Sequence, residues 1–195
     1  SMDPAMAKAM VHYRLRRLSA AQAAAQAAGR RGARFPWESA ADGDDVTPTV
    51  VHLSGQSVPI RTGQLEEHVT ADVAWSLAHY AEWSGDRAFL TGAGRPLLAE
   101  TARYWASRCR LDRQGRAHID GIMGPDEYHE SVDDNAYTNV MARWNLRAAA
   151  DAVDGGSGDE QEAQAWRDLA ERIVDGYDPA TGRYEQFAGY FGLES

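Results

Sequence analysis

The chain has 195 residues and a formal net charge of −9 at pH 7, with 44% hydrophobic and 25% charged residues. At this length, a single domain that buries about 70% of its unfolded surface is the default. The acidic balance argues against a nucleic-acid partner, and no apolar run approaches the roughly 20 residues of a membrane-spanning helix. The single cysteine, Cys109, excludes a disulfide within the chain. We therefore expect a cytoplasmic protein with neither a nucleic acid nor a membrane as partner.

The first residues differ from the rest of the chain. Ser1-Met2-Asp3-Pro4 is typical of a cloning remnant, and the apolar stretch after it is too short for a signal peptide. We assign residues 1–10 to this remnant and a flexible start, and residues 11–195 to the folded domain. A helical pattern begins almost at once, which suggests a piece excised from a longer protein.

Five segments place apolar residues at the spacing of an amphipathic helix. They run from Val11 to Ala28, from Val69 to about Ser84, from Arg95 to Arg108, from Tyr137 to Ala148 and from Ala163 to Ile173. Gly29 is a plausible C-cap of the first, and the fourth should stop before residues 154–158, Asp-Gly-Gly-Ser-Gly. Val50–Leu53 suggests a short strand, and Ala117–Asp120 suggests one arm of a hairpin. The pattern predicts an all-α fold with long functional loops.

The segment Arg34-Phe35-Pro36-Trp37-Glu38-Ser39 combines aromatic rings with a carboxylate. This combination suits a sugar, because C–H faces stack on Trp37 while hydroxyls bond to Glu38. The alternative is structural: Trp37 would anchor a loop to the core, and Glu38 would cap a helix. Residue types alone favour this structural interpretation.

A second segment, Gly124 to Asn135, is densely acidic. It contains the carboxylates Asp126, Glu127, Glu130, Asp133 and Asp134, with His129 among them. Crowded acids raise one another's pKa, and a general acid needs a carboxyl that is protonated near neutral pH. Two alternatives stay open. The loop could simply cap the helix near Tyr137, or the carboxylates and His129 could bind a cation, although their spacing matches no common metal motif.

Five blocks of the chain together resemble glycoside hydrolase family 65, which comprises the maltose, trehalose and kojibiose phosphorylases and related trehalases. These blocks are Arg34–Ser39, Glu67–Trp75, Thr101–Arg108, Gly124–Asn139 and Tyr184–Phe191. The Gly-Pro-Asp-Glu-Tyr run within Gly124–Asn139 is the most specific. The blocks follow the family's order over nearly the whole chain.

The resemblance implies roles for individual residues. Glu127 stands where the family keeps its general acid, Trp37 and Glu38 match residues lining the glucosyl pocket, and Thr70 matches a further pocket residue. The implied fold is part of an (α/α)6 barrel with about five to six helices, so residues 11–195 would be a partial (α/α)6 catalytic domain. The resemblance implies no metal and no cofactor, and inorganic phosphate would be a co-substrate in a phosphorylase.

The implied activity is inverting cleavage of an α-linked glucose disaccharide of the trehalose, maltose or kojibiose type, by phosphorolysis or hydrolysis. Two positions depart from the family, Glu67 where a histidine is common and Asp134 where asparagine is common. The family's sugar-holding lysine–glutamine pair comes later in sequence, so we expect the isolated chain to be inactive. The alternative is a helical fragment without activity that binds sugar or self-associates, with a homodimer formed through exposed helix faces.

Overall fold

The computed structural model describes residues 3–152 and 157–193. Residues 154–156 of the glycine-rich junction predicted after the fourth helical segment lie outside this range. The described residues are mainly helical, which confirms the predicted all-α class. None of the described helices is both long enough and apolar enough to cross a membrane.

Eight α-helices and three antiparallel hairpins make up the described part of the chain. The helices are α1 (Pro4–Leu15), α2 (Leu18–Ala27), α3 (Thr62–Leu65), α4 (Val69–Ser84), α5 (Arg87–Thr91), α6 (Arg95–Arg108), α7 (Ala136–Asp151) and α8 (Ser157–Arg172). The hairpins pair β1 (Val50–Leu53) with β2 (Gln56–Pro59), β3 (Arg110–Leu111) with β4 (Ala117–His118), and β5 (Tyr177–Asp178) with β6 (Arg183–Tyr184). A 3-10 turn follows at Tyr190–Gly192.

The first predicted helix is wrong as a single element, because two helices cover its range. α1 begins before Val11, since the Asp3 carboxylate accepts a bond from the Ala5 N–H at 2.9 Å and Pro4 occupies the first turn. The helix ends at Leu15, and the Arg17 guanidinium turns to donate to the carbonyls of Tyr13 and Ala41. The break therefore falls where Arg17 reaches Ala41, 24 residues away, a contact of which an alanine-rich sequence gives no sign.

The other four long helices lie where their periodicity places them. Gly85 ends α4 with a φ of 73°, and the Asn135 side chain caps α7 by accepting from the Thr138 N–H at 3.0 Å. The two short helices, α3 and α5, have too few turns for a periodic signal and were not predicted. The strand at Val50–Leu53 and the hairpin arm at Ala117–His118 are confirmed.

The helices pack as neighbours around one apolar core. α7 lies against α4, α6 and α8, while α1 packs on α4 and α2 on α6. The core is centred on large, fully buried side chains from several elements, among them Leu77, Leu97, Leu98, Tyr104, Trp105, Ile119, Ile122 and Leu146. α6 contributes four of these eight, so this helix is the central support for the segments on either side.

The connection from α2 to Trp37 runs directly over the backbone of α6. The Ala33 N–H donates to the Glu100 carbonyl at 2.9 Å, and the Arg31 N–H donates to the Ser107 hydroxyl at 3.0 Å. Gly32 lies at the closest approach, where an added Cβ would come within 2.1 Å of the Glu100 carbonyl oxygen. A glycine here therefore sets how deeply the following segment sits against α6.

We predict that Gly32→Ala lowers the free energy of unfolding by at least about 3 kcal/mol, because the methyl group overlaps rigid backbone. Gly29→Ala is the matched control. Gly29 has a similar left-handed φ, 69° against 77° for Gly32, but open space around it. The Gly29→Ala variant should therefore lose only about 1 kcal/mol of its free energy of unfolding, from backbone strain. Urea denaturation of both variants measures the difference, and equal losses would show that the close approach to α6 is unimportant.

Candidate active site

Thr70 holds the Trp37 segment onto α4. Its side chain is fully buried, and its hydroxyl accepts a hydrogen bond from the Phe35 N–H at 3.1 Å. On the other side, the Arg34 N–H donates to the Ala21 carbonyl at 2.9 Å. Thr70 thus lies beside the predicted pocket, but its hydroxyl is already bonded to the Phe35 N–H. Through this bond it helps to position Trp37, which follows Phe35 by two residues.

Trp37 and Glu38 face different surroundings. The Trp37 ring is half-buried at the edge of the core, with its centroid 5.9 Å from the His68 ring in an edge-on arrangement. Glu38 is exposed, and its N–H donates to the Thr47 hydroxyl at 3.1 Å. The structural interpretation is therefore right about Trp37 as an anchor, but Glu38 caps no described helix. Among the described residues, no side chain bonds to the Glu38 carboxylate.

A cavity of about 250 Å³ is lined in part by Thr47, whose hydroxyl accepts from the Glu38 N–H, but Glu38 itself does not line it. Arg34, Asp45, Thr47 and Gln64 contribute polar groups to its wall. The Arg34 guanidinium is fixed by bonds to the carbonyls of Gly63 and Gln64, at 3.0 and 2.7 Å. The volume and the mixture of charges and hydroxyl suit a monosaccharide-sized polar ligand.

His68 lies between two carboxylates at the start of α4. Its Nδ1 lies 2.7 Å from Asp72 Oδ2, and its Nε2 lies 3.1 Å from Glu66 Oε2. Burial alone would lower the pKa of His68, but the hydrogen bonds and charges of Asp72 and Glu66 outweigh it and raise this pKa to about 9. His68 is consequently an imidazolium at neutral pH.

An aromatic residue from α7 completes this side of the cluster. The Tyr137 ring stands perpendicular to His68 with centroids 5.4 Å apart, and its hydroxyl donates to Asp72 Oδ1 at 3.0 Å. Burial and the nearby Asp72 charge raise the pKa of Tyr137 to about 12. Tyr137 is 44% exposed, so the cluster presents an aromatic ring and a carboxylate to solvent.

The acidic loop is held by backbone pairing and one close glycine contact. Ile122 and Val132 pair across its base, and the Gly121 N–H donates to the Asp133 carboxylate at 2.8 Å. A Cβ on Gly124 would come within 2.3 Å of the Asn135 side-chain amide, which caps α7. The loop therefore caps α7, as the structural alternative expects, and it also carries the exposed Glu127.

Asp126 does not have the raised pKa that crowding predicts for the acids of this loop. A hydrogen bond from the Gln186 amide at 2.7 Å and one from the Tyr128 N–H lower the pKa of Asp126. His129 packs against the Phe187 ring with centroids 4.9 Å apart. In the part of the chain that the structure describes, three or more histidine, cysteine or carboxylate side chains nowhere converge as a metal site would require.

Glu127 is exposed on this loop. The Met123 N–H in the same loop donates to the Leu65 carbonyl at 3.0 Å, next to Glu66, whose side chain has no exposed surface. Burial, reinforced by Glu127, raises the pKa of Glu66, while the bond to His68 opposes the rise. Glu66 and Glu67 are adjacent and identical in type, so the sequence has no signal that separates them.

The two departures from the family pattern lie in buried ion pairs rather than on the open face. Glu67 Oε2 accepts from Arg108 Nε at 2.6 Å, which ties the start of α4 to α6. Asp134 Oδ2 lies 2.6 Å from His118 Nδ1, and the same carboxylate accepts from the Ile119 N–H and the Asn139 amide. Both residues therefore support the loops and do not present a carboxylate to a ligand.

The raised pKa of His68 predicts a pH-dependent stability. The stabilisation of the fold by charged His68 is complete below 6.5, the pKa of an unfolded histidine. It is lost as the pH rises through about 9, the pKa of His68 in the fold. We expect the free energy of unfolding to fall across this window by on the order of 2 kcal/mol, and His68→Gln to flatten the fall. Exposed His52 provides the control, since His52→Gln should leave the slope unchanged. An unaltered slope in His68→Gln would show that His68 carries no charge in the fold.

Comparisons with known proteins identify the family of the chain. A family model described as the glycosyl hydrolase family 65 central catalytic domain matches residues 1–195. A kojibiose phosphorylase of Thermoanaerobacter brockii is 36% identical over 97% of this chain and 27% of its own length. A kojibiose hydrolase of Flavobacterium johnsoniae is 41% identical over 76% of this chain and 21% of its own length.

A trehalose 6-phosphate phosphorylase of Lactococcus lactis is 38% identical over 74% of this chain and 20% of its own length. The chain thus spans about a quarter of the length of the curated relatives it matches.

A solved structure gives the fold independently. A candidate kojibiose phosphorylase from the human microbiome superposes with a TM-score of 0.79, covering 98% of this chain and 28% of that one at 22% identity. The helical fold matches the expectation for part of an (α/α)6 barrel. From the family match over the whole sequence, the chain belongs to glycosyl hydrolase family 65.

Proposed function

We propose that this chain forms the acid-bearing part of an inverting enzyme that cleaves an α-linked glucose disaccharide. The observation that carries the proposal is the position of Glu127, exposed on a loop whose Met123 N–H is bonded to the Leu65 carbonyl beside the aromatic and charged cluster of His68. A protonated Glu127 would donate to the glycosidic oxygen as the C–O bond breaks, while water or phosphate attacks the anomeric carbon from the opposite face. If phosphate is the attacking group, it is a co-substrate. The proposed reaction needs no metal or cofactor.

The neighbouring residues support a glucosyl pocket on the same face. The sugar ring would stack on the open side of Trp37, and its hydroxyls would bond to the carboxylate of Glu38. Thr70 would act on this pocket indirectly through its bond to Phe35. The cavity lined in part by Thr47 supplies further polar groups.

The relatives support the substrate class but differ in the attacking group. Two of the three are named as phosphorylases and one as a hydrolase. The substrate in the name is kojibiose for two of them and trehalose 6-phosphate for the third. We therefore propose phosphorolysis or hydrolysis of a kojibiose-, trehalose- or maltose-type substrate in the cytoplasm. Lys8, the chain's single lysine, is bound to Asp86 at 2.7 Å and cannot serve as the sugar-holding lysine of the family. The isolated chain should accordingly be inactive.

A second candidate function is self-association of the chain. Trp75, His79 and Trp83 form an aromatic row along α4, with Trp75 stacked on His79 at 4.3 Å and Trp83 81% exposed. Such a surface favours contact with another helix face. A homodimer of an inactive, sugar-binding fragment is the corresponding alternative to catalysis.

We predict that Glu127→Gln in the full-length protein lowers turnover of an ordinary disaccharide by about 10²–10⁴-fold, because an amide cannot donate the proton. The variant should keep part of its turnover on substrates that have an activated leaving group. Glu130→Gln is the matched control, since Glu130 is exposed on the same loop and lies 3.7 Å from Arg61. Near-normal turnover by Glu127→Gln would contradict the assignment.

We also predict that Trp37→Ala and Glu38→Gln each weaken glucose binding about tenfold in the full-length protein, through lost stacking and a lost charge-assisted bond. Calorimetric titration measures the affinity, and thermal melts report stability separately. Trp83→Ala removes an equally large ring from the exposed face of α4 and should leave binding unchanged. Unchanged affinity in both pocket variants, with lower melting temperatures, would favour a purely structural role.

A further inference from the structure

We propose that His118 is a positioning residue for the general acid: its imidazolium, held between Asp134 and Asp112, fixes the loop stem from which Glu127 projects. The loop stem is residues 119–122 and 132–134. Deprotonation of the ring would release the stem and misplace the acid. This inference rests on the proposed function of Glu127 and adds a residue that acts through the loop and not on the substrate.

Both ring nitrogens of His118 face carboxylates. Its Nδ1 lies 2.6 Å from Asp134 Oδ2, and its Nε2 lies 3.2 Å from Asp112 Oδ2. Because a carboxylate oxygen only accepts, both contacts are hydrogen bonds only when both nitrogens carry a proton. The geometry therefore requires the charged imidazolium, and a neutral ring would turn a lone pair toward one of the carboxylates.

The two carboxylates differ in how much they need this charge. Asp112 also accepts from Arg116 Nε at 2.8 Å, so it has a second cationic partner. Asp134 is 7% exposed, and within residues 3–152 and 157–193 its cationic partner is His118 alone. Loss of the imidazolium charge therefore leaves Asp134 as a buried carboxylate without compensation, which is the costly case for a buried ion pair.

Asp134 joins the loop stem to three neighbouring parts of the fold. Its N–H donates to the Ile119 carbonyl at 3.0 Å, and its Oδ1 accepts from the Ile119 N–H at 3.2 Å. The same oxygen accepts from the Asn139 amide at 3.0 Å, and this amide also donates to the Val174 carbonyl at 2.6 Å. Asp134 thus ties the loop to the residue after β4, to α7 and to the segment after α8.

The backbone at Asp134 gives these side-chain bonds a further purpose. Its φ is 51°, in the left-handed region, directly before the Asn135 cap of α7. This conformation is costly for a residue with a Cβ, and aspartate and asparagine tolerate it better than most. The bonds to the Asp134 carboxylate therefore hold the turn by which the chain passes from the loop stem into α7.

The stem controls Glu127 because the loop is short and is held at both ends. Ile122 and Val132 pair across the stem, and the Met123 N–H donates to the Leu65 carbonyl at 3.0 Å. The chain between Met123 and Val132 carries Glu127 near its centre. A shift of the stem is therefore passed to the acid, and a misplacement of about 1 Å at a reacting group lowers a rate by about 10²-fold.

The charged groups that face His118 are Arg110 on β3, Asp112 in the turn after β3, and Asp134 at the loop stem. Burial alone would lower the pKa of His118, but the bonds to Asp134 and Asp112 outweigh both burial and the Arg110 charge and raise this pKa above 6.5. The positioning of the stem is then complete below pH 6.5 and is lost as the pH rises through the raised pKa.

The decisive variant is Asp134→Asn. Its amide keeps an oxygen for Ile119 and Asn139 and presents an N–H to Nδ1 of a neutral His118, while the Nε2–H of that ring still donates to Asp112. The loop stem then no longer needs the charge. In the full-length protein, turnover is measured from about pH 6 to about pH 10 on an ordinary disaccharide and on an α-glucoside with an activated leaving group. The ratio of the two rates reports how well the general acid delivers its proton.

We expect this ratio to fall about tenfold further at alkaline pH in the wild-type protein than in Asp134→Asn, the effect of one lost charge-assisted bond. His118→Asn keeps a neutral amide donor near the position of Nδ1, so it should lower the ratio at neutral pH and remove the same alkaline step. Asp133→Asn is the matched control. Its carboxylate accepts from the Gly121 N–H and, among the described residues, faces no imidazole, so the wild-type pH dependence should be retained.

Parallel pH profiles for the wild-type protein and Asp134→Asn, with Glu127→Gln inactive on the ordinary disaccharide, overturn the role of His118 and leave the general acid in place. Normal turnover by Glu127→Gln overturns both.

A second measurement needs neither activity nor a variant. In the 195-residue chain with ¹⁵N-labelled histidine, both ring nitrogens of His118 should be protonated at pH 7. A neutral His118 ring at that pH would overturn the proposal, whatever the kinetics show.

Discussion

The charged imidazole of His68 is the contact on which the rest of the site depends. It allows two carboxylates, Glu66 and Asp72, to lie at the buried end of α4 without an uncompensated charge. Removing the partner of a buried charge is far more costly than removing an exposed pair. The same ring is the surface against which Trp37 and Tyr137 stand edge-on. One side chain thus sets the electrostatics and the shape of the cluster.

The fold around this cluster was predictable to the extent that local signals decide it. α4, α6 and α7 show an apolar stripe and recognisable caps at Gly85 and Asn135, so periodicity and capping agree. The break between α1 and α2 coincides with the bond from Arg17 to the Ala41 carbonyl, a contact with a residue 24 positions away. No local propensity reports such a contact.

The candidate site was predictable by segment but not by partner. Trp37 and Glu127 stood out because one lies beside a carboxylate and the other in a dense acidic run, and because both of their segments resemble blocks of the family. Glu66 could not be distinguished from Glu67, since burial against the loop and pairing with Arg108 are tertiary outcomes. Thr70 shows the opposite case: its position matched a pocket residue, yet its hydroxyl is occupied by the Phe35 N–H. Sequence locates the loops, and packing decides which atoms remain free.

The charge of the cluster is matched to the chemistry proposed for it. The charges of His68 and Asp72 cancel at the start of α4. In the step proposed above, Glu127 would become a carboxylate as it gives its proton to the glycosidic oxygen, at the moment when the anomeric carbon becomes positive. The attraction therefore grows toward the transition state, which is the condition for an interaction to increase the rate rather than only tighten binding.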